Sequence, residues 1–217
     1  MKIGLYGGTF DPVHRGHVEP VRSAARALGL DRVIYLPTAQ PPHKRGRRTA
    51  PPWRRFTMVE LALLDDARCR VDPFEMTGDV AYTVDTVEHF QGRFTGDRLF
   101  LIVGADSFVA LHTWRRGAEL AARIELAVLV RPGSPLGPQG LAEPQRRARD
   151  GGRVPRIEDA PHPASSTEIR RFLAAGELPP AGWLDPAVLD YSLKYGLYRT
   201  SDPDAGRGPG SPKGPSP

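Results

Sequence analysis

The chain has 217 residues, 40% of them apolar and 25% charged, a composition that is typical of a globular domain and excludes fibrous proteins. No apolar run approaches the ~20 residues that a membrane span needs, and the first residues lead into a short apolar run rather than a signal peptide, so a cytoplasmic location without membrane attachment is expected. The single cysteine, Cys69, excludes an intrachain disulfide and a cysteine zinc cluster.

Positive charge is spread along the chain. The net charge is +5, and 26 of the 30 basic residues are arginines without a dense basic run or interleaved aromatics. A nucleic-acid-binding groove would concentrate such residues. The distribution therefore favours a small polyanionic ligand over nucleic acid, and no oligomeric state is predicted.

Short apolar runs alternate with helical patterns. Strands are predicted at residues 2–6, 33–36, near 71, 99–103 and 126–130. Helical faces are predicted at residues 18–28, 56–63, 84–87 and 116–121. This alternation predicts an α/β fold, a Rossmann-like doubly wound parallel sheet that binds ligands beyond the carboxyl ends of its strands.

The chain is expected to form one domain over residues 1–200. Residues 38–52, rich in proline and basic side chains, form a loop too long to be a mere connection, and residues 132–152 are expected to be exposed. A Gly/Pro/Ser-rich tail over residues 201–217 lacks the apolar side chains for a core and is predicted to be disordered.

The most informative stretch is residues 7–17, GGTFDPVHRGH, between the first predicted strand and helix. Backbone N–H groups at a helix N-terminus attract anions, and glycine allows close backbone approach. His14 and His17 are three residues apart, so both rings can face the same phosphate oxygens. The spacing fits neither the dinucleotide fingerprint nor the P-loop. The stretch predicts a phosphate site; the alternative is a Gly-Gly turn with two surface histidines.

A second candidate phosphate element, SSTEIR, occupies residues 165–170. A Ser or Thr is expected to cap a helix there, with Ile169, Phe172 and Leu173 on its core face and Arg170 projecting from its first turn. Hydroxyls, N–H groups and a guanidinium together can hold the outer phosphates of a nucleoside triphosphate. Taken alone, the pattern is more often a capped helix with an exposed arginine; paired with residues 7–17 it favours a triphosphate site.

With both elements in this order, the chain resembles the nucleotidyltransferase superfamily with the HxGH motif. It is further similar to the bacterial nicotinate-nucleotide adenylyltransferase family, through PPHK at residues 41–44, AYTVDTV at 81–87, and GADS at 104–107 followed by Trp114. The similarity extends from residue 1 to about residue 199, and its motifs are specific as an ordered set.

The resemblance implies adenylyl transfer from ATP to nicotinate mononucleotide, with Mg²⁺ carried on ATP and no metal-binding side chains. It implies that His17 and His14 are catalytic and contact the ATP phosphates. The other implied ATP-binding residues are Gly7, Gly8, Thr9, Phe10, Ser165, Thr167 and Arg170.

For the mononucleotide, the resemblance implies His43 and Lys44 at its phosphate, Tyr82 and Thr83 at the nicotinate carboxylate, Trp114 on the pyridine ring and Asp106 at a ribose hydroxyl. Local alternatives remain for several of these residues. Residues 43 and 44 could simply be solvated, Trp114 could be a core-packing indole, and Asp106 could be a helix N-cap.

Three rival functions remain open. The first is adenylyl transfer to nicotinamide mononucleotide, which differs from the acid by one carboxylate. The second is a phosphopantetheine adenylyltransferase or a cytidylyltransferase, families that tend to lack the PPHK loop. The third is a non-catalytic nucleotide-binding or RNA-binding module.

Overall fold

The computed structural model describes residues 1–39, 49–76, 82–130, 156–158 and 162–199. His43 and Lys44, residues 132–152 and the tail over residues 201–217 lie outside these ranges. The expectations for these segments, and for a single domain over residues 1–200, stay predictions.

Six parallel strands of the described residues form one sheet in the order β3-β2-β1-β4-β5-β6. This is the strand order of the doubly wound dinucleotide-binding folds, which reverse their winding direction between β1 and β4. The predicted fold class is therefore confirmed. The strands are β1 Lys2–Gly8, β2 Arg32–Pro37, β3 Cys69–Val71, β4 Arg98–Gly104, β5 Glu125–Val130 and β6 Arg156–Glu158.

In the described part of the chain, helices connect the first five strands and follow the last one. They are α1 Arg15–Leu28, α2 Pro52–Ala62, α3 Thr83–Arg93, α4 Ala105–Ala110, α5 Gly117–Arg123, α6 Ser166–Ala174 and α7 Pro186–Lys194, with short 3-10 helices at Phe74–Met76 and Leu111–Thr113. No helix within the described ranges is long and apolar enough to cross a membrane.

Apolar side chains cover both faces of the sheet. Along β2, Val33 and Tyr35 point into one core with α1, α2, α6 and α7, while Ile34 and Leu36 point into a second core with α3, α4 and α5. This two-sided burial follows from the period of two in a strand, and each buried aliphatic side chain contributes about 1.5–3 kcal/mol. Cys69 is a buried free thiol.

Several element boundaries differ from the predictions. Pro52 is the first residue of α2 instead of the last residue of the loop, because its fixed φ and missing N–H suit the start of a helix. The helix expected over residues 116–121 spans Gly117–Arg123, with Arg116 as a left-handed N-cap. Three short elements, α4, β6 and α7, have no counterpart among the predictions.

The carboxyl ends of the neighbouring strands β1, β2 and β4 lie along one edge of the sheet. The chain continues from them into residues 9–14, residues 38–39 and helix α4, respectively. The segments that carry most of the predicted site residues therefore share one edge of the sheet, where such folds bind their ligands.

Candidate active site

The turn after β1 is shaped by a buried aromatic ring. Phe10 is 1% exposed and has a positive φ of 49°, which turns its ring back beneath the strand end. A Cβ atom at Gly8 would lie only 2.8 Å from that ring. Glycine is thus required at residue 8 for the ring to pack, and the strand end is left open toward the sheet edge.

The two histidines lie side by side at the start of α1. His14 is the N-cap, and its ring centroid is 3.8 Å from that of His17. The backbone N–H of His14 donates to Nδ1 of His17 at 3.3 Å, so a neutral His17 ring carries its proton on Nε2. A Cβ at Gly16 would come within 3.0 Å of the His14 ring, so the glycine makes room for it.

The distal element contacts this turn directly. Ser165 caps α6, its hydroxyl accepting from the Glu168 N–H at 3.5 Å, as the sequence predicts. The Ser166 hydroxyl donates to the Pro12 carbonyl at 3.0 Å, and Nη1 of Arg170 donates to the Asp11 carbonyl at 2.5 Å. Two elements more than 150 residues apart in sequence are thereby joined at one place.

Arg170 also makes contacts within its own element and with a carboxylate. Its Nη2 donates to the Thr167 hydroxyl at 3.3 Å, and Nη1 lies 3.7 Å from Oδ2 of Asp11. The guanidinium is half-buried and stands beside the strand-turn-helix that carries the histidines. This arrangement groups a cation, hydroxyls and backbone N–H groups in a way that suits a polyphosphate.

Asp11 forms the centre of a buried polar network. Its side chain is 4% exposed, and Oδ1 accepts from the Ala50 N–H at 3.0 Å and from the Tyr198 hydroxyl at 2.8 Å. The Asp11–Pro12 peptide bond is cis. Because its carboxylate has protein donors, Asp11 holds the turn in place rather than facing a ligand.

Arg55 supplies a second buried connection. Its guanidinium is 0% exposed and donates to the carbonyls of Ala50 at 3.0 Å, Thr9 at 2.6 Å, Thr38 at 2.7 Å and Ala39 at 2.8 Å. Burial lowers the pKa of this guanidinium, and the Asp11 carboxylate opposes that shift. Arg55 thus fixes the turn and both flanks of residues 40–48.

Neither Arg55 nor Tyr198 was identified as a site residue from the sequence. Arg55 could have been found, because it precedes the buried Met58, Val59 and Ala62 of α2 at spacings of three, four and seven residues. An arginine on such an apolar face signals a buried hydrogen-bond network. No local signal marks Tyr198, whose partner Asp11 lies 187 residues away.

The predicted carboxylate-binding residues lie at a helix start. Tyr82 is the N-cap of α3 and 36% exposed, and Thr83 is the first residue of the helix. The Tyr82 carbonyl accepts from the N–H groups of Asp85 at 2.9 Å and Thr86 at 3.1 Å. The N-terminus of α3, with its partial positive charge, is thus capped by an exposed residue.

Trp114 and Asp106 occupy the segment after β4. Trp114 is half-buried and packs against the core formed with α3, α4 and α5, so the packing interpretation of its indole is supported. Asp106 is exposed in the first turn of α4, whose N-cap is Gly104. The alternative of Asp106 as an N-cap is therefore wrong, and its carboxylate faces solvent.

A buried carboxyl group lies between the end of β1 and helix α3. Glu75, 7% exposed, accepts a hydrogen bond from the Thr86 hydroxyl at 2.8 Å, and both its carboxylate oxygens lie 3.8 Å from where a Cβ at Gly7 would be. Burial raises the pKa of Glu75 to about 7, against a smaller opposing effect of the hydrogen bond. Local sequence patterns do not mark this residue, because its burial depends on strands and helices from separate segments.

Among the residues that the structure describes, no group of three or more His, Cys, Asp or Glu side chains is placed to hold a metal ion.

The chain is similar in sequence to known proteins. The cytidylyltransferase-like family profile matches residues 5–172. A probable nicotinate-nucleotide adenylyltransferase of Solibacter usitatus (strain Ellin6076) is 41% identical over 199 residues, covering 91% of this chain and 100% of that protein. Another, of Neisseria gonorrhoeae (strain NCCP11945), is 41% identical over 201 residues, covering 91% of this chain and 98% of that protein.

The fold is also that of a solved structure. Plasmodium falciparum nicotinic acid mononucleotide adenylyltransferase complexed with NaAD matches with a TM-score of 0.69 at 16% identity, covering 91% of this chain and 97% of that chain. At this identity the likeness concerns the fold alone, whereas the family profile and the 41% identical relatives concern the sequence. The chain therefore belongs to the cytidylyltransferase-like family, among relatives that carry the name nicotinate-nucleotide adenylyltransferase.

Proposed function

We propose that this chain transfers the adenylyl group of ATP to nicotinate mononucleotide, forming nicotinate adenine dinucleotide and pyrophosphate. The observation that carries the proposal is the contact of Ser166 and Arg170 with Pro12 and Asp11, because it brings the two proposed phosphate-binding elements together. The names of the 41% identical relatives supply the choice of acceptor.

The reaction needs no covalent bond to the protein. An oxygen of the acceptor's 5′-phosphate forms a bond to the α-phosphorus of ATP while the bond from that phosphorus to the bridging oxygen of pyrophosphate breaks on the opposite side. The protein accelerates such a displacement by positioning the two phosphates and by stabilising the charge that moves onto the leaving group.

We assign the stabilisation of that charge to His17. Its Nδ1 accepts from the His14 backbone, which leaves Nε2 as the proton-bearing atom of the neutral ring and a donor to phosphate oxygen. His14, whose ring lies 3.8 Å away, orients it and supports the same phosphates. A preorganised donor of this kind favours the transition state because its orientation costs nothing at the moment of reaction.

The remaining triphosphate contacts come from both elements. Arg170 would exchange its bond to the Asp11 carbonyl for the outer phosphates, which as anions are stronger acceptors. Mg²⁺ would arrive on ATP, neutralise phosphate charge and keep much of its water. The residues proposed to assist are Gly7, Gly8, Thr9 and Phe10 through their backbone and Ser165 and Thr167 through their hydroxyls.

The acceptor would bind along the edge next to α3. The N–H groups at the start of this helix, near Tyr82 and Thr83, suit the nicotinate carboxylate, and the half-buried Trp114 suits the pyridine ring. Asp106 remains a candidate for a ribose hydroxyl, and His43 and Lys44 for the 5′-phosphate.

The test is a pyrophosphate-release assay with ATP, Mg²⁺ and one of three acceptors: nicotinate mononucleotide, nicotinamide mononucleotide or phosphopantetheine. We expect the highest kcat/KM with nicotinate mononucleotide and no release without an acceptor. Release that depends on phosphopantetheine, or on CTP in place of ATP, would overturn the proposal in favour of a rival transferase. No release with any acceptor would favour a binding module.

A further inference from the structure

Arg115 connects the two segments that line the proposed acceptor site. Its guanidinium carbon lies 4.5 Å from the centroid of the Tyr82 ring, and its Nη1 lies 4.0 Å from Oδ2 of Asp85. Tyr82 is the N-cap of α3, and Arg115 directly follows Trp114. A full positive charge therefore stands at the start of α3, and the residue that carries it is the chain neighbour of the half-buried Trp114.

The guanidinium of the next residue, Arg116, has a different environment from that of Arg115. Arg116 donates to the carboxylates of Glu119 at 2.6 Å and Glu88 at 2.9 Å, and these hydrogen bonds raise the pKa of its guanidinium. Arg115, by contrast, approaches the Asp85 carboxylate only to 4.0 Å and rests on an aromatic face. Since a cation–π contact occupies none of the N–H donors, the Arg115 guanidinium keeps donors for a further anion.

A charge in this position distinguishes an acid from an amide. The carboxylate and the carboxamide of the two pyridine mononucleotides have similar size and shape and differ by one negative charge. The N-terminus of a helix carries only about half a positive charge, and its N–H groups also bind a neutral amide oxygen. A guanidinium adds a full charge and two parallel N–H donors that match a carboxylate.

We propose that Arg115, held over the Tyr82 ring, pairs with the carboxylate of the acceptor's base and makes the site prefer the acidic mononucleotide over the amide. The inference rests on the proposed function, because it assumes that the pyridine ring binds between Tyr82 and Trp114. Arg115 is then a specificity-determining residue that acts at the far end of the acceptor from the reacting phosphate.

The experiment compares three variants with the wild type: Arg115→Gln, Arg115→Lys and Arg98→Gln. Arg98 is an exposed arginine paired with Glu125 at the opposite end of β4, so its replacement removes the same charge away from the site. For each protein, kcat/KM is measured for nicotinate and nicotinamide mononucleotide at saturating ATP, with thermal unfolding as the check that the variants fold.

We expect Arg115→Gln to reduce the acid-to-amide ratio of kcat/KM about tenfold, through a higher KM for the acid and an unchanged kcat/KM for the amide. Arg115→Lys should recover part of the ratio, and Arg98→Gln should leave it unchanged. Added salt should lower the wild-type ratio but not that of Arg115→Gln, because a partly exposed charge pair is screened.

An equal loss with both mononucleotides would overturn the proposal and assign Arg115 to holding Tyr82 in place. An unchanged ratio would overturn it as well. Failure of the proposed function would give another result. The wild type itself would then release no pyrophosphate with nicotinate mononucleotide, and neither would the Arg115 variants.

Discussion

The proposed site has two halves that are built differently. The phosphate half, residues 7–17 with residues 165–170, is interlocked by buried polar groups, including Asp11 at 4% and Arg55 at 0% exposure. The acceptor half is less buried: Tyr82 and Asp106 are exposed, Thr83 and Trp114 are half-buried, and the contact of Tyr82 with Arg115 is a cation–π contact at the surface.

This difference suggests that the phosphate half positions the reacting groups and the acceptor half recognises the substrate. A displacement at phosphorus requires donors fixed to within a fraction of an ångström, and a dry hydrogen-bond network gives that rigidity. Recognition of the acceptor instead requires matching charge and an aromatic face, which surface residues supply. Substitutions in the phosphate half should therefore change turnover or folding, and those in the acceptor half should change KM or selectivity.

The largest expected effect is that of His17→Ala on catalysis. Loss of one preorganised donor to the moving charge should lower kcat about 10²–10³-fold, with KM for the mononucleotide little changed. Steady-state pyrophosphate release measures this, and circular dichroism checks the fold. Nearly normal turnover of the variant would show that His17 does not stabilise the transition state. The assignment of turnover to the phosphate half would then lose its main support.

The second effect concerns the network beneath the phosphate half. Arg55→Gln leaves several of the four carbonyls and the Asp11 carboxylate without the guanidinium, and should lower the free energy of unfolding by about 3 kcal/mol in urea titrations. The matched control is Arg54→Gln, at a side chain stacked 3.9 Å over the Tyr195 ring, where we expect less than about 1 kcal/mol. Equal losses of unfolding free energy in the two variants would show that the buried network stabilises the fold no more than the contact of Arg54 does.

The third effect is the pH dependence caused by Glu75, whose pKa of about 7 lies above its ordinary 4.5. The folded chain holds this proton when the unfolded chain has lost it, so the stabilisation is complete below pH 4.5 and is lost as pH rises through about 7. The Glu75→Gln variant should not lose stability in this way. The difference between its free energy of unfolding and that of the wild type should therefore increase by on the order of 2 kcal/mol from pH 5 to pH 8.

Urea titrations across this pH range measure the effect, with Glu60→Gln as the control because Glu60 is exposed on α2. The control should follow the wild-type pH dependence. If Glu75→Gln also followed it, the carboxyl group would be ionised in the folded chain like a surface glutamate, and its position between β1 and α3 would be solvated rather than buried.

The smallest effect is expected for Trp114→Ala in the acceptor half. Loss of ring stacking should raise KM for the mononucleotide about tenfold and leave KM for ATP unchanged, whereas Trp114→Phe should retain most of the affinity. An effect on ATP alone would mean that the indole does not lie in the acceptor half.

The sequence predicts the phosphate half better than the network that supports it. Strand, glycine turn and capped helix are local patterns, so residues 7–17 and the cap at Ser165 could be identified without a structure. No local pattern encodes the partners in the buried network, because they are far apart in sequence. Examples are the contacts of Asp11 with Tyr198 and of Arg55 with Thr38. The short helix α4 was missed for another reason: six residues carry too little periodicity to be recognised.

The central claim is that the two phosphate elements act on one triphosphate, and a double-mutant cycle of His17→Ala and Arg170→Ala tests it most directly. Because Arg170 would fix the triphosphate against which His17 acts, the double variant should lose less kcat/KM for ATP than the product of the two single losses. The distant pair His17→Ala and Arg98→Gln should show simple multiplication. If the losses in kcat/KM for His17→Ala and Arg170→Ala also multiplied, with a coupling free energy below about 0.5 kcal/mol, the claim that the two elements hold a common substrate would be contradicted.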